Sequence, residues 1–129
     1  MKRLKIIFIG LVLILFSISA LNAQYDRKQV LLNQAKNYDM MRDYNLASDL
    51  YKELMKDYSN DFEVVEGYLS LLIKMNNNEE AEKLLADSER IFPPETYTHY
   101  NIVFLLGKGE INKAKKRAQD YLAKNSGNI

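Results

Sequence analysis

The 129-residue chain contains no cysteine, no tryptophan and a single histidine, His99. Without cysteine it has no disulfide framework, no cysteine nucleophile and no attachment point for the thioether-linked lipid of a bacterial lipoprotein. One histidine without any cysteine also excludes His/Cys metal sites. The fold must therefore be held together by apolar packing, and we expect no metal or other cofactor.

The sequence also lacks the common signatures of catalysis. A serine nucleophile would have to recruit His99, and no Gly-x-Ser-x-Gly elbow is present. The Gly107-Lys-Gly109 segment lacks the spacing of a phosphate-binding loop and is interpreted as a turn between helices. Glu79, Glu80 and Glu82 fall in the first turn of a predicted helix, where carboxylates complement the helix dipole. We therefore predict that the protein is not an enzyme.

Residues 1–23 have the layout of a secretory signal peptide. A basic cluster precedes an uncharged run from Ile6 to Leu21, which is 16 residues long. Because a helix that spans a bilayer needs about 20 residues, cleavage is preferred over an uncleaved anchor. The cut is predicted after Ala23, with a cut after Ala20 as the alternative. We expect export to the periplasm or cell envelope, or secretion, with membrane contact only through this segment if it is uncleaved.

The charge balance argues against a nucleic-acid partner. The whole chain has 18 basic and 17 acidic residues, and residues 1–23 hold three of the basic ones and none of the acidic ones. The mature chain of 106 residues would therefore have 15 basic and 17 acidic residues, a net charge of about −2. Nucleic-acid binding usually requires a concentrated positive face. The basic run from Lys113 to Arg117 is interpreted as a solvated surface, with an acidic partner or lipid headgroups as the alternative.

Three segments of the mature chain repeat a helical pattern. Ala47, Ala81 and Ala114 are separated by 34 and then 33 residues. Each alanine is followed four residues later by a larger or apolar residue, which places the pair on one face of a helix. A polar turn precedes each alanine, and before each turn lies another stretch that can form a helix. Leu31, Ala35 and Tyr38 give the first of these stretches its amphipathic spacing.

Two helices in a unit of about 34 residues resemble the tetratricopeptide repeat. Ala35 corresponds to the small residue on the family's first helix and Tyr38 to the aromatic one turn later, while Ala47 and Tyr51 match the alanine and aromatic of the second helix. The resemblance implies an all-α, right-handed α-solenoid of about three helix-turn-helix repeats, at residues 28–61, 62–95 and 96–126. These form a domain over residues 24–129 that follows the N-terminal signal helix.

The later units depart from the family pattern in several places. The second unit has the bulky Leu69 where a small residue is usual, with Gly67 as a candidate accommodation, and it ends in the helix-stopping Pro93. The third unit contains Tyr100-Asn-Ile102, similar to the family's core, and a turn predicted to be one residue shorter. No unit has the family's tryptophan. Residues 96–104 are rich in β-branched and aromatic residues, but a lone strand between helices would lack a pairing partner, so we predict a helix there.

In the family, the first helices of successive units line a concave surface that contacts partner proteins. Carried over residue by residue, this face would be formed by Gln29, Leu32, Lys36, Asp39, Glu63, Glu66, Ser70, Ile73, Tyr97, Tyr100 and Phe104. The last three depend on where the shortened turn places its gap, and the alternative is that this aromatic face packs against a further repeat or a partner copy. Leu32, Lys36 and Gly67 do not assemble the family's clamp for a C-terminal carboxylate.

The end of the sequence leaves no polar capping helix after residue 121, although repeat arrays usually finish with one. Two functions therefore stay open. The chain is expected to be an exported interaction scaffold or adaptor that binds a protein or peptide segment on its concave face. Alternatively, it is a structural subunit, or the N-terminal portion of a larger envelope repeat assembly, with self-association through the uncapped C-terminal end.

Overall fold

The computed structural model describes residues 1–126 of the chain, and all secondary structure in that part is helical. Six helices follow one another: α1 Lys2–Met40, α2 Tyr44–Tyr58, α3 Phe62–Lys74, α4 Asn78–Ile91, α5 Pro94–Gly107 and α6 Ile111–Asn125. No strand occurs among the described residues, and residues 96–104 are helical. The predicted all-α class is confirmed.

Short polar side chains begin the second, third and fourth helices. Asp43, Asp61 and Asn77 stand just before these helices, and each accepts a hydrogen bond from a backbone N–H of the first turn. Such caps satisfy donors that have no partner within the helix. α5 begins instead at Pro94, where the missing proline N–H costs nothing. α4 ends at Ile91, ahead of the proline pair, as expected from the helix-stopping role predicted for Pro93.

The turns inside the three hairpins have the same length and the same backbone shape. Each has three residues, and its middle residue has a positive φ: 62° at Arg42, 55° at Asn76 and 73° at Gly109. The prediction of a shorter turn in the third hairpin is therefore wrong. The missing residue lies between α4 and α5, which are joined by Phe92 and Pro93 alone, whereas residues 59–61 join α2 to α3.

Each helix packs against the next one along the chain, and α1, α3 and α5 also contact one another in that order. Ala47 and Ala81 are fully buried and Ala114 is 3% exposed, so all three repeated alanines lie at close helix contacts as predicted. The main apolar core is centred on α3, whose Leu69, Leu71 and Leu72 are fully buried.

Gly67 makes room for Tyr51 of the preceding helix. A Cβ added to Gly67 would lie 2.5 Å from the hydroxyl oxygen of Tyr51. The Tyr51 ring is stacked on Tyr68 with ring centroids 5.7 Å apart. Burial, with smaller contributions from Asp39 and Glu63, raises the pKa of the Tyr51 hydroxyl to about 12. The glycine therefore compensates for a tyrosine on α2 rather than for Leu69.

α1 continues without a break from the predicted signal segment into the first hairpin. It has 39 residues, and the predicted cleavage positions lie within it. Within residues 1–126 it is the one helix whose length and composition would allow it to cross a membrane, and it lies at the N-terminus as a signal sequence would. Its large apolar side chains from Leu4 to Leu21 are exposed.

Candidate protein-binding face

The first helices of the three hairpins bring most of the predicted face residues to one layer. The exposed or half-buried members are Gln29, Lys36, Asp39, Glu63, Glu66, Ser70, Ile73 and Tyr97. Leu32 and Tyr100 are fully buried and Phe104 is 5% exposed. The expectation that these last three side chains are exposed to a partner is wrong, since they belong to the apolar core.

Two ion pairs and a hydrogen bond between His99 and Glu66 connect the helices of this layer. Lys36 Nζ lies 2.6 Å from Glu63 Oε1, and Lys74 Nζ lies 2.6 Å from Asp39 Oδ2, so that two pairs join α1 to α3. His99 Nε2 lies 2.8 Å from Glu66 Oε1 and joins α3 to α5. The predicted residues Lys36 and Glu63 are thus brought together directly. Because these charges meet within the chain, the face offers little unbalanced charge to a ligand.

The errors on α5 have a simple geometric cause. With equal turns, a residue of the second hairpin corresponds to the residue 33 positions later in the third. Glu66 then corresponds to His99 and Ser70 to Val103, whereas a spacing of 34 selects the buried Tyr100 and Phe104. A shift of one residue rotates a helical position by about 100°. The face residues that the sequence reasoning missed on α5 are Thr96, His99, Val103 and Leu106. Counting back from the Gly109 turn would have found them.

Leu32 is buried for a different reason. It lies on α1 and belongs to the core cluster together with Ala35 of the same helix. The large apolar side chain is excluded from water by this packing. In this part of the face, the half-buried Gln29 and Lys36 remain available at the surface.

Tyr97 lies away from the ion-paired residues. Arg117 of α6 stands over its ring, with 5.5 Å between the guanidinium carbon and the ring centroid. Both side chains line an open cleft of about 520 Å³ that Tyr121 and residues near the α4–α5 junction also border. The predicted grouping of Tyr97, Tyr100 and Phe104 on one exposed face is therefore wrong.

Aromatic rings mark one end of the layer. Phe62 at the start of α3 stacks on Tyr100 at 5.5 Å and lies 6.0 Å from the His99 ring. The Tyr100 hydroxyl donates a 3.2 Å hydrogen bond to the carbonyl oxygen of Phe62. Burial, with the negative charges of Glu66 and Asp61, raises the pKa of Tyr100 well above its usual range, so it remains a donor. Phe62, which is 47% exposed, leaves an aromatic edge for a partner.

At the other end the layer is apolar. Ile73 packs on Gly107, where any added Cβ would collide with the Ile73 Cγ2 atom. Val103 is half-buried and Leu106 is 51% exposed. Among residues 1–126, no group of three or more His, Cys, Asp or Glu side chains is placed to hold a metal ion. The layer thus has aromatic, ion-paired and apolar sections, which suit contact with an extended segment or a helix of another protein.

No family model, no curated protein and no solved structure matches the chain. The resemblance to the tetratricopeptide repeat therefore rests on the residues quoted above.

Proposed function

We propose that the protein is an exported interaction scaffold of three tetratricopeptide-like hairpins, arranged as a right-handed solenoid, that binds a segment of another protein on the face of α1, α3 and α5. The packing of each helix on its successor, with α1, α3 and α5 in mutual contact, supports this arrangement. The three turns also support it, because each has a middle residue with a positive φ and equal turns repeat the same hairpin geometry.

The observation that carries the binding role is the exposed layer described above. Lys36, Asp39 and Glu63 are balanced by charges on neighbouring helices. The half-buried Ser70 and Val103 and the exposed Phe62 and Leu106 remain open at the surface of the layer. If a partner segment covered this aromatic and apolar surface, the hydrophobic effect would contribute about 25 cal/mol of favourable free energy per Å² of apolar area removed from water. We propose no catalytic activity for the protein.

The N-terminal segment supports the location. A basic cluster followed by an apolar helix is compatible with a signal sequence, and the exposed side chains of residues 4–21 require either removal or a membrane. We propose cleavage after Ala23 and residence in the periplasm or cell envelope.

Photo-crosslinking in the native cells tests the binding face. A photoreactive amino acid at Ser70 or at Val103 should give the same partner adduct, because both positions lie on the layer. The same group at Ala86, which is exposed on α4, should not give that adduct. Identical adducts at all three positions, or none at Ser70 and Val103, would contradict a binding role for this face.

A structural role is the second candidate, and the apolar surface at the C-terminal end of the helix array favours it. Leu122 on α6 is 63% exposed and Leu106 on α5 is 51% exposed. A lobe of an envelope assembly would bury such a surface.

A further inference from the structure

Glu66 differs from the other carboxylates of the α1–α3–α5 layer in its partner. Asp39 and Glu63 each lie 2.6 Å from a lysine on a neighbouring helix. Glu66 Oε1 instead accepts a 2.8 Å hydrogen bond from Nε2 of His99, which is counted without charge at pH 7. Among residues 1–126, no lysine or arginine nitrogen lies within 4.0 Å of the Glu66 carboxylate. The unbalanced charge that the layer keeps is therefore negative and lies at Glu66.

The Glu66 carboxylate is accessible and has an unused acceptor. The side chains of Glu66 and His99 are 37% and 48% exposed. The hydrogen bond from His99 occupies Oε1, while Oε2 has no hydrogen-bond or ion-pair partner in the described part of the chain. A cation of another molecule can therefore reach Oε2 without displacing a contact of the folded chain.

An aromatic ring lies one turn before Glu66 on α3. Phe62 is 47% exposed, and its ring centroid lies 6.0 Å from that of His99. Because residues four apart lie on the same helix face, the exposed Phe62 ring and the Glu66 carboxylate are neighbours. A ring beside a carboxylate favours a lysine or arginine, whose stem packs on the ring while its charged head pairs with the carboxylate.

The surrounding charges also favour a cation over an anion. Glu95, one turn before His99 on α5, is exposed, and no ion-pair partner for it lies within residues 1–126. Burial first, and then the negative charges of Glu66 and Asp61, raise the pKa of the nearby Tyr100 hydroxyl. An acidic segment would be repelled at this end of the layer, whereas a basic one would be attracted.

Apolar surface continues from this point along α5. Val103 and Leu106 follow His99 by four and seven residues, and they are half-buried and 51% exposed, respectively. With a rise of about 1.5 Å per residue, Leu106 lies about 10 Å along the helix from His99. A partner that covers this surface therefore needs a basic and an apolar side chain about 10 Å apart.

We propose that the layer recognises a lysine or arginine of its partner, which pairs with Glu66 Oε2 and packs on the ring of Phe62, with an apolar side chain of the same segment over Leu106. This inference rests on the proposed function and deepens it, because it names the chemistry of the segment that the layer binds. The occupant is a basic and apolar segment of another protein.

Photo-crosslinking from Ser70 in the native cells tests the charge preference. The full chain carries the photoreactive amino acid at Ser70, and the yield of the partner adduct is compared among variants whose helicity by circular dichroism is unchanged. Glu66→Lys should lower the yield at least about fivefold, because it replaces attraction by repulsion. Glu66→Gln should lower it about two- to fivefold, as expected for the loss of a half-exposed ion pair. His99→Lys should act like Glu66→Gln, since a fixed cation beside Glu66 competes with the partner.

The matched control is Glu89→Lys, which makes the same charge change at an exposed position of α4. It should leave the yield unchanged, and the same ranking of variants is expected with the photoreactive group at Val103. An undiminished yield in Glu66→Lys, an equal loss in Glu89→Lys, or a ranking seen from Ser70 but not from Val103 would overturn the proposal. A higher yield in Glu66→Lys would overturn it in favour of an acidic partner.

The failure of this inference is distinguishable from the failure of the proposed function. An adduct at Ser70 and Val103 that ignores every change at Glu66 would remove the basic residue and keep the binding layer. The absence of any adduct from the unsubstituted layer would remove both.

Discussion

The ring of Tyr51 on α2 lies directly against the backbone of Gly67 on α3. A Cβ added at Gly67 would lie 2.5 Å from the tyrosine oxygen and 2.9 Å from two ring carbons, while the Tyr51 side chain is only 2% exposed. The ring cannot swing into solvent without leaving its stack on Tyr68. The contact between the first and second hairpins therefore depends on the absence of a side chain at one position.

Gly67→Ala should destabilise the protein. The strain of displacing the buried ring, about 1–3 kcal/mol, should exceed the gain of about 1 kcal/mol from replacing a glycine inside a helix. Urea unfolding followed by circular dichroism measures the change. In a Tyr51→Leu background the same substitution should become neutral or stabilising, because the ring is gone. Equal losses in both backgrounds would contradict the assigned contact.

Ala81→Glu should cost on the order of 3 kcal/mol or more, because it places an unpaired charge in a buried helix contact. Ala81 is fully buried in the core, out of contact with water. Ala86→Glu on the same helix is the control, since Ala86 is exposed and its substitution should change stability by less than about 0.5 kcal/mol. Similar midpoints for the two variants in thermal unfolding would refute the assigned repeat register.

Arg42→Gly should stabilise the first hairpin. Arg42 has a φ of 62°, and a left-handed conformation costs a non-glycine residue about 1–2 kcal/mol. The larger entropy of glycine in the unfolded chain offsets part of that gain, so we expect a net increase of about 0.5–1 kcal/mol in the free energy of unfolding. Gly109→Ala, with a φ of 73° at the equivalent position, should lower it by a similar amount. The reverse order of stabilities would show that the turns are not equivalent.

The Lys28–Asp61 pair should make stability depend on pH. Lys28 Nζ lies 2.8 Å from Asp61 Oδ2, and the two side chains are 14% and 26% exposed. The hydrogen bond to Asp61 raises the pKa of Lys28, despite some burial. Burial alone would raise the pKa of Asp61, but hydrogen bonds from Lys28 and from the N–H groups of Val64 and Glu63 outweigh it and lower that pKa.

The lowered pKa of Asp61 stabilises the folded protein fully when the pH is above 3.8, the pKa of this group in the unfolded chain. The stabilisation is lost as the pH falls through the lower pKa of the folded chain. The raised pKa of Lys28 stabilises the folded protein fully when the pH is below 10.5, the pKa of this group in the unfolded chain. The stabilisation is lost as the pH rises through the higher pKa of the folded chain. Asp61→Asn keeps a capping side chain but removes the charge, so it should cost about 0.5–1 kcal/mol at pH 7 and less at pH 3. Unfolding at both values measures this. Asp57→Asn, at an exposed partner of Arg27, should have a smaller effect, and an equal loss at both pH values for Asp61→Asn would contradict the assignment.

The sequence by itself determined the helical class, the positions of the hairpins and the residues at their close contacts. Periodic apolar residues, short polar caps and the spaced alanines act locally, because a cap or a small residue works within one or two turns of its own helix. Asp43, Asp61 and Asn77 begin helices, and Ala47 and Ala81 are buried as their spacing indicated.

Only the tertiary structure decided which residues on each helix remain at the surface. One residue missing between α4 and α5 moves the surface positions from Tyr100 and Phe104 to His99 and Val103, and no local pattern locates such a gap. Exposure depends on which neighbouring helix covers a side chain, and about 100° of rotation separates consecutive positions. The packing of neighbouring helices also decides that His99 pairs with Glu66 and that Tyr51 contacts Gly67, since each contact joins residues on different helices.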